Sequence, residues 1–183
     1  MTDRKGNWMQ VWTGGRYYPM DPRVEEVRIE DIAHSLAMQC RFTGHVETFY
    51  SVAEHSWWVS HLVPSQLALC GLLHDATEAY LTDISRPVKA HLTNYKEIEA
   101  LNWKVIAMKF NLPAIMPPEI HRADNAMLHA ERAKLLKFGP ADASAEDWAM
   151  GAVESPAKVR IKCWGPGRGK QKFLERFYQL TWI

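Results

Sequence analysis

Four residues in three separate stretches have the types and the order to hold a divalent metal ion: His55, the adjacent pair His74 and Asp75, and Asp124. Imidazole nitrogen together with carboxylate oxygen suits a borderline or hard cation that keeps positions open for water. The doublet sits in Leu72-Leu73-His74-Asp75-Ala76-Thr77-Glu78, which reads as helix. Adjacent helical residues point about 100° apart, so both reach one ion only if the helix edge is turned toward it. A lone doublet of this kind is more often a hydrogen-bonded core pair. Its place 19 residues after His55 and 49 before Asp124 is what gives it weight. Glu78, one turn after His74, falls on the same edge and is placed to orient or deprotonate a metal-bound water. His121 shares the helix face of Asp124 and is a rival ligand. His45, beside Gly44, stands in reserve. His34, His61, His91 and His129 read as structural or exposed, and a solvated or Arg122-paired carboxylate is the bland account of Asp124.

The elements that must position these residues are mostly helical. A β-hairpin opens the chain at about 8–18, with Trp8 to Trp12 alternating, Gly14-Gly15 turning and Arg16-Tyr17-Tyr18 returning. From Ile29 to Cys40, Ile32, Leu36 and Cys40 recur at helical spacing. Ser51-Val52-Ala53-Glu54 reads as a capping box opening a helix that carries His55 in its first turn and stops before Pro64. Ser65 can cap a further helix from Gln66 to about Tyr80, holding the doublet mid-helix. Val88 to Leu92 is a short helical turn. Asn94 to Phe110 places Ile98, Leu101, Val105 and Met108 on one face. Pro117-Pro118 opens a helix carrying Asp124 to about Lys137, with Gly139 and Pro140 ending it. Residues 141–169 are mixed, and Gly165-Pro166-Gly167 reads as a breaker. It lacks the spacing and the preceding strand of a phosphate loop. A last amphipathic helix spans about 170–181. The expected fold is all-α: one domain over 1–183, a helical core at about 28–138 and a small N-terminal hairpin.

Composition narrows the function. The 183 residues suit one domain with a sizeable core. Lys plus Arg is 22 against 21 for Asp plus Glu, and that balance argues against a nucleic-acid polymer as partner. Three widely spaced cysteines without a CxxC argue against a disulfide scaffold or a cysteine zinc site and make a reducing cytoplasm the default. No apolar run is long enough to span a membrane, and the N-terminus has no signal-type apolar core. Most of the eight tryptophans read as core or interface packing.

The ordered set His, His-Asp, Asp resembles the signature of the HD-domain metal-dependent phosphohydrolases. The stretch from Gly71 through His74-Asp75, Glu78, Thr82-Asp83 and Pro87-Val88-Lys89 is similar to the HD-type bacterial 5′-deoxynucleotidases. Asp31 to Leu36, Cys40-Arg41-Phe42-Thr43-Gly44-His45 and Phe49 to Ser56 extend the likeness to small phage enzymes that hydrolyse dATP to deoxyadenosine and triphosphate. The resemblance covers roughly residues 8–135. It implies an HD-type helical bundle, a divalent ion (zinc, cobalt, manganese or magnesium, with iron also suited to the donors) on His55, His74, Asp75 and Asp124, and a catalytic Glu78. It further implies that Asp83 stands near the sugar and the attacked phosphate, and that Arg41 meets the phosphate. Phe42 stands where the bacterial nucleotidases carry tryptophan, which leaves base stacking but puts base preference in doubt. Arg86, Lys89, His91 and Lys96 add cations for a longer phosphate chain. Phe42 or Tyr80 could exclude a 2′-hydroxyl by leaving it desolvated and unpaired. The expected activity is dNTP triphosphohydrolysis at the O5′–α-phosphorus bond, dATP favoured. The alternatives are a 5′-deoxynucleotidase and a nucleotide-binding module without turnover. A homo-oligomer, dimer or hexamer, is the expected assembly.

Overall fold

The computed structural model describes residues 4–137 and 155–181. It is mostly helical with a small two-stranded antiparallel sheet. Strands β1 (Met9–Gln10) and β2 (Arg16–Tyr17) pair Met9 with Tyr17 and Gln10 with Arg16. Gly14 at φ +84° makes the turn, a backbone angle that costs glycine nothing. The helices are α1 (Ile29–Met38), α2 (Val52–Leu62), α3 (Ala68–Leu73), α4 (Glu78–Leu81), α5 (Arg86–Lys89), α6 (Tyr95–Phe110), α7 (Pro118–Leu135) and α8 (Pro166–Thr181).

Helix α2 is the hub, touching α1, α3, α7 and α8. It therefore buries residues all round, Val52 to Ser56 and Val59-Ser60, rather than along one stripe. Two glycines let its neighbours approach. A Cβ on Gly169 of α8 would stand 3.2 Å from Ser51 Oγ, and one on Gly71 of α3 would stand 3.2 Å from Ser60 Cα. The core joins Ile32 and Leu36 of α1, Val59 of α2, Leu72 and Leu73 of α3, Ile106 of α6, Ile120 and Met127 of α7 and Phe173 of α8.

Four expectations need correction. The helix expected from Gln66 to Tyr80 is not continuous. Ala76, Glu78 and Ala79 donate to the carbonyls three residues back, Leu73, Asp75 and Ala76, at 2.9, 2.9 and 3.3 Å. His74 and Asp75 thus lie in a tightened turn between α3 and α4, not mid-helix. In such a turn residues i and i+3 eclipse, which sets Glu78 behind Asp75 rather than behind His74. Pro166 is no breaker but the first residue of α8, where its missing N–H costs nothing. On α6 the buried residues are Tyr95, Asn102, Trp103, Val105, Ile106 and Ala107, so Val105 of the expected face lies inward while Leu101 and Met108 are exposed. Asn102 turns that face inward by accepting from Tyr17 OH at 2.6 Å and donating to Pro19 O at 2.9 Å. The capping box is half formed: Ser51 Oγ accepts from Glu54 N at 3.1 Å. Glu54 instead accepts the amides of Lys162, Cys163 and Trp164 at 2.6, 3.2 and 2.6 Å. Cys163, at φ +56°, curls that backbone into an anion-binding nest. The turn at Gly139-Pro140 and residues 141–154 lie outside the described residues.

Candidate metal centre and cavity

The expected ligands come together. His55 is fully buried in the first turn of α2. Its Nε2 lies 3.3 Å from His74 Nε2, 3.2 Å from Asp124 Oδ1 and 3.6 Å from Asp75 Oδ2. His74 Nε2 lies 3.3 Å from Asp75 Oδ1. Ligand atoms of His55, His74 and Asp124 all fall within 4.8 Å of one another. An ion with bonds of about 2.0–2.2 Å holds neighbouring donors about 3.0–3.5 Å apart, so these side chains fit such a group. The other nitrogen of each ring supports the same conclusion. His55 Nδ1 donates to Glu131 Oε1 at 2.6 Å, and His74 Nδ1 donates to Gly71 O at 2.8 Å. Both rings therefore turn Nε2 toward the shared centre, the arrangement that second-layer acceptors impose on metal-binding histidines.

The imidazoles and carboxylates of the cluster act strongly on one another. Burial and the Arg41 charge lower the His55 imidazole's proton affinity, but Glu131 and Asp124 outweigh them and hold its pKa up at about 9. Burial alone would raise the Asp124 carboxyl, yet its hydrogen bond to His55 and the charges of His55, His74 and Arg41 hold it far below the ordinary range.

Beside this cluster a cavity of about 330 Å³ opens, lined among others by Arg41, Phe42, Glu78, Asp83, Arg86 and Lys89. Arg41 is brought in by a narrow loop, closed by Arg41 N to Tyr50 O at 2.9 Å and Val52 N to Gln39 O at 3.2 Å. Phe42 and Thr43, which follow it, both stand at positive φ, +55° and +53°. That is costly for an aromatic and for a β-branched residue, and such strain concentrates at functional sites. Glu78 Oε2 is buried without a hydrogen-bond partner among the described residues. Burial, then the nearby charges of Asp75 and Asp83, push the Glu78 carboxyl well above its usual range. Asp83 is likewise raised by burial, with Arg41 opposing. Gln39 positions this wall. Its Oε1 accepts from Asp83 N at 2.9 Å and its Nε2 donates to Glu78 O at 3.0 Å. Between those anchors Thr82 is held at φ +67°.

Two curated proteins align with the chain. It is 36% identical over 176 residues to "Uncharacterized protein YfdR" of Escherichia coli (strain K12), covering 96% of each chain. It is 35% identical over 153 residues to "Uncharacterized protein RCAP_rcc00048" of Rhodobacter capsulatus, covering 76% of this chain and 78% of that one. The chain belongs to the YfdR family. No family model matches it.

Not every expected site residue of this YfdR-family chain meets the cavity. Tyr80 is buried against Tyr17, rings 3.7 Å apart and 11° from parallel, and is not among the cavity-lining residues. His121 and His45 are exposed and stand outside the cluster. Arg122 pairs with Glu119 at 3.3 Å rather than with Asp124. His91 and Lys96 are exposed and do not line the cavity. Arg86 and Lys89 do line it, each already paired: Arg86 with Asp124 at 3.1 Å, Lys89 with Glu99. Sequence reasoning missed Glu131 and Gln39. Glu131 had a signal, being the one acid in the α7 series Ile120, Ala123, Met127, Leu128, Glu131, Leu135, all buried. An acid at a core position of a helix needs a buried partner. Gln39 had none, because its role depends on a turn 39 to 44 residues away.

Proposed function

We propose that the protein is an HD-type, metal-dependent phosphohydrolase that cleaves the bond between O5′ and the α-phosphorus of a deoxynucleotide, with dATP as the favoured substrate and deoxyadenosine and triphosphate as products. The observation that carries this reading is the buried Glu78 carboxyl oxygen, without a hydrogen-bond partner among the described residues, in the cavity that adjoins the His55, His74 and Asp124 cluster. His55, His74, Asp75 and Asp124 would hold the divalent ion. Such an ion lowers the pKa of a bound water and offsets charge developing on phosphorus.

The chain's own residues supply the rest. Glu78 takes the proton of the attacking water; its desolvated carboxylate is a stronger base than a solvated one. Arg41 presents its fork to the phosphate oxygens, held by Glu131 so that little freedom is lost on binding. Asp83, whose carboxyl burial raises, faces the same cavity and delivers a proton to the departing O5′. Phe42 lines the cavity beside Arg41 and offers the apolar contact that disfavours a 2′-hydroxyl. Arg86 and Lys89 at the α5 rim supply cations for the outer phosphates.

A second reading, a 5′-deoxynucleotidase acting on monophosphates, is favoured by one observation: both rim cations already sit on carboxylates. Chromatography separates the two. Each dNTP and dNMP is incubated with Mn²⁺, Co²⁺, Zn²⁺ or Mg²⁺ and the products are resolved. The proposal expects deoxyadenosine and tripolyphosphate from dATP. Deoxynucleoside from dNMP alone would transfer the assignment to the second reading. No deoxynucleoside from any substrate would remove the hydrolase reading and leave a binding module.

A further inference from the structure

Glu131 lies two turns after Asp124 on α7 and is fully buried. A carboxylate so placed is costly unless its lone pairs are met. Its Oε1 accepts from His55 Nδ1 at 2.6 Å and from Tyr50 OH at 2.9 Å, and its Oε2 accepts from Arg41 Nε at 3.1 Å. One oxygen thus faces a ring whose far nitrogen enters the cluster, and the other faces the guanidinium that lines the cavity. Arg41 Nη1 in turn lies 3.7 Å from Asp75 Oδ2.

We propose that Glu131 is a positioning residue for two functions at once: it locks the His55 ring with Nε2 toward the metal ion, and through its second oxygen it sets Arg41 for an incoming phosphate. The proposal rests on the metal reading above. The carboxylate is required rather than the shape alone. In Glu131→Gln the amide has one oxygen for two donors, so its NH₂ must face either His55 Nδ1–H or the Arg41 guanidinium. Tyr50→Phe removes only the third donor and leaves both arms in place.

The test measures Mn²⁺ and Zn²⁺ affinity by competition with a chromophoric chelator in the wild type, Glu131→Gln and Tyr50→Phe. Loss of such a second-layer partner weakens metal binding about 10- to 100-fold. That drop is expected for Glu131→Gln, with Tyr50→Phe binding as the wild type does. At saturating Mn²⁺, inorganic phosphate should also bind Glu131→Gln more weakly. A folded Glu131→Gln with wild-type metal affinity overturns the proposal and spares the metal reading. Wild-type phosphate affinity overturns the Arg41 half. A wild type that binds no divalent ion overturns both the proposal and the metal reading. Should Glu131→Gln fail to fold, the zinc-loaded wild type still decides by NMR. The His55 Nδ1 proton is expected to be observable and slow to exchange with water. Exchange as fast as that of an exposed histidine overturns the proposal.

Discussion

The two halves of the site are built in opposite ways. The inner half is His55 of α2, Glu131 of α7 and Arg41 from the loop before α2, and its polar groups are interlocked: Glu131 alone receives three donors. The outer half runs from Glu78 to Lys89 on two single-turn helices, with a strained Thr82, a mostly exposed rim and a buried Glu78 oxygen that has no partner among the described residues. A fully satisfied buried network is rigid and costly to alter. A wall of short, exposed helices is cheaper to alter. On the proposed reading the inner half seats the His55 ligand and the phosphate, and the outer half serves proton transfer and substrate choice.

Substitutions can break that division, beginning with the largest effect. Asp75→Ala, at the junction, should lose both bound metal and turnover, as metal analysis beside a product assay would show; retained turnover would undo the ligand assignment. Glu78→Ala should keep its metal while turnover falls about 10²- to 10⁴-fold, the usual worth of a general base. Full activity in that variant would leave the outer half without its base. Glu54→Ala leaves three backbone amides without their acceptor and should cost roughly 2–4 kcal/mol of stability. Denaturant melts check this, and a change below about 0.5 kcal/mol would show the nest to be dispensable. Gln39→Ala frees the Asp83 amide and the Glu78 carbonyl together. Turnover should fall roughly tenfold with metal affinity unchanged, since a small misplacement near the reacting groups has effects of that order or more. The smallest effect belongs to Lys89→Ala: a rise in KM for dATP of a few-fold, with little change for dAMP. Equal changes for both would favour the monophosphate reading.

Much of this was legible in the residues themselves. The order of His55, His74-Asp75 and Asp124 marked the cluster, because ligand chemistry restricts residue types whatever the fold. The hairpin, α1, α2 and α7 followed from turn residues, periodicity and Ser51 as a cap. The break at His74–Thr77 was not legible, since its residues are compatible with helix and the tightened turn is a matter of local backbone hydrogen bonding. Glu54 misled because its local partner is outcompeted by three amides more than 100 residues away. Tyr80 misled for a related reason: lying close to Glu78 in sequence, it nevertheless stacks on Tyr17 of the hairpin. For Glu54 and Tyr80, long-range pairing rather than propensity decided the outcome.

The central claim is that the cluster works through a bound ion. It is tested most directly by stripping the protein with a chelator, titrating Mn²⁺ back, and following deoxynucleoside release from dATP against bound metal. The account predicts no release from the stripped protein and release that rises in proportion to the metal bound. Turnover that survives complete removal of metal would contradict it.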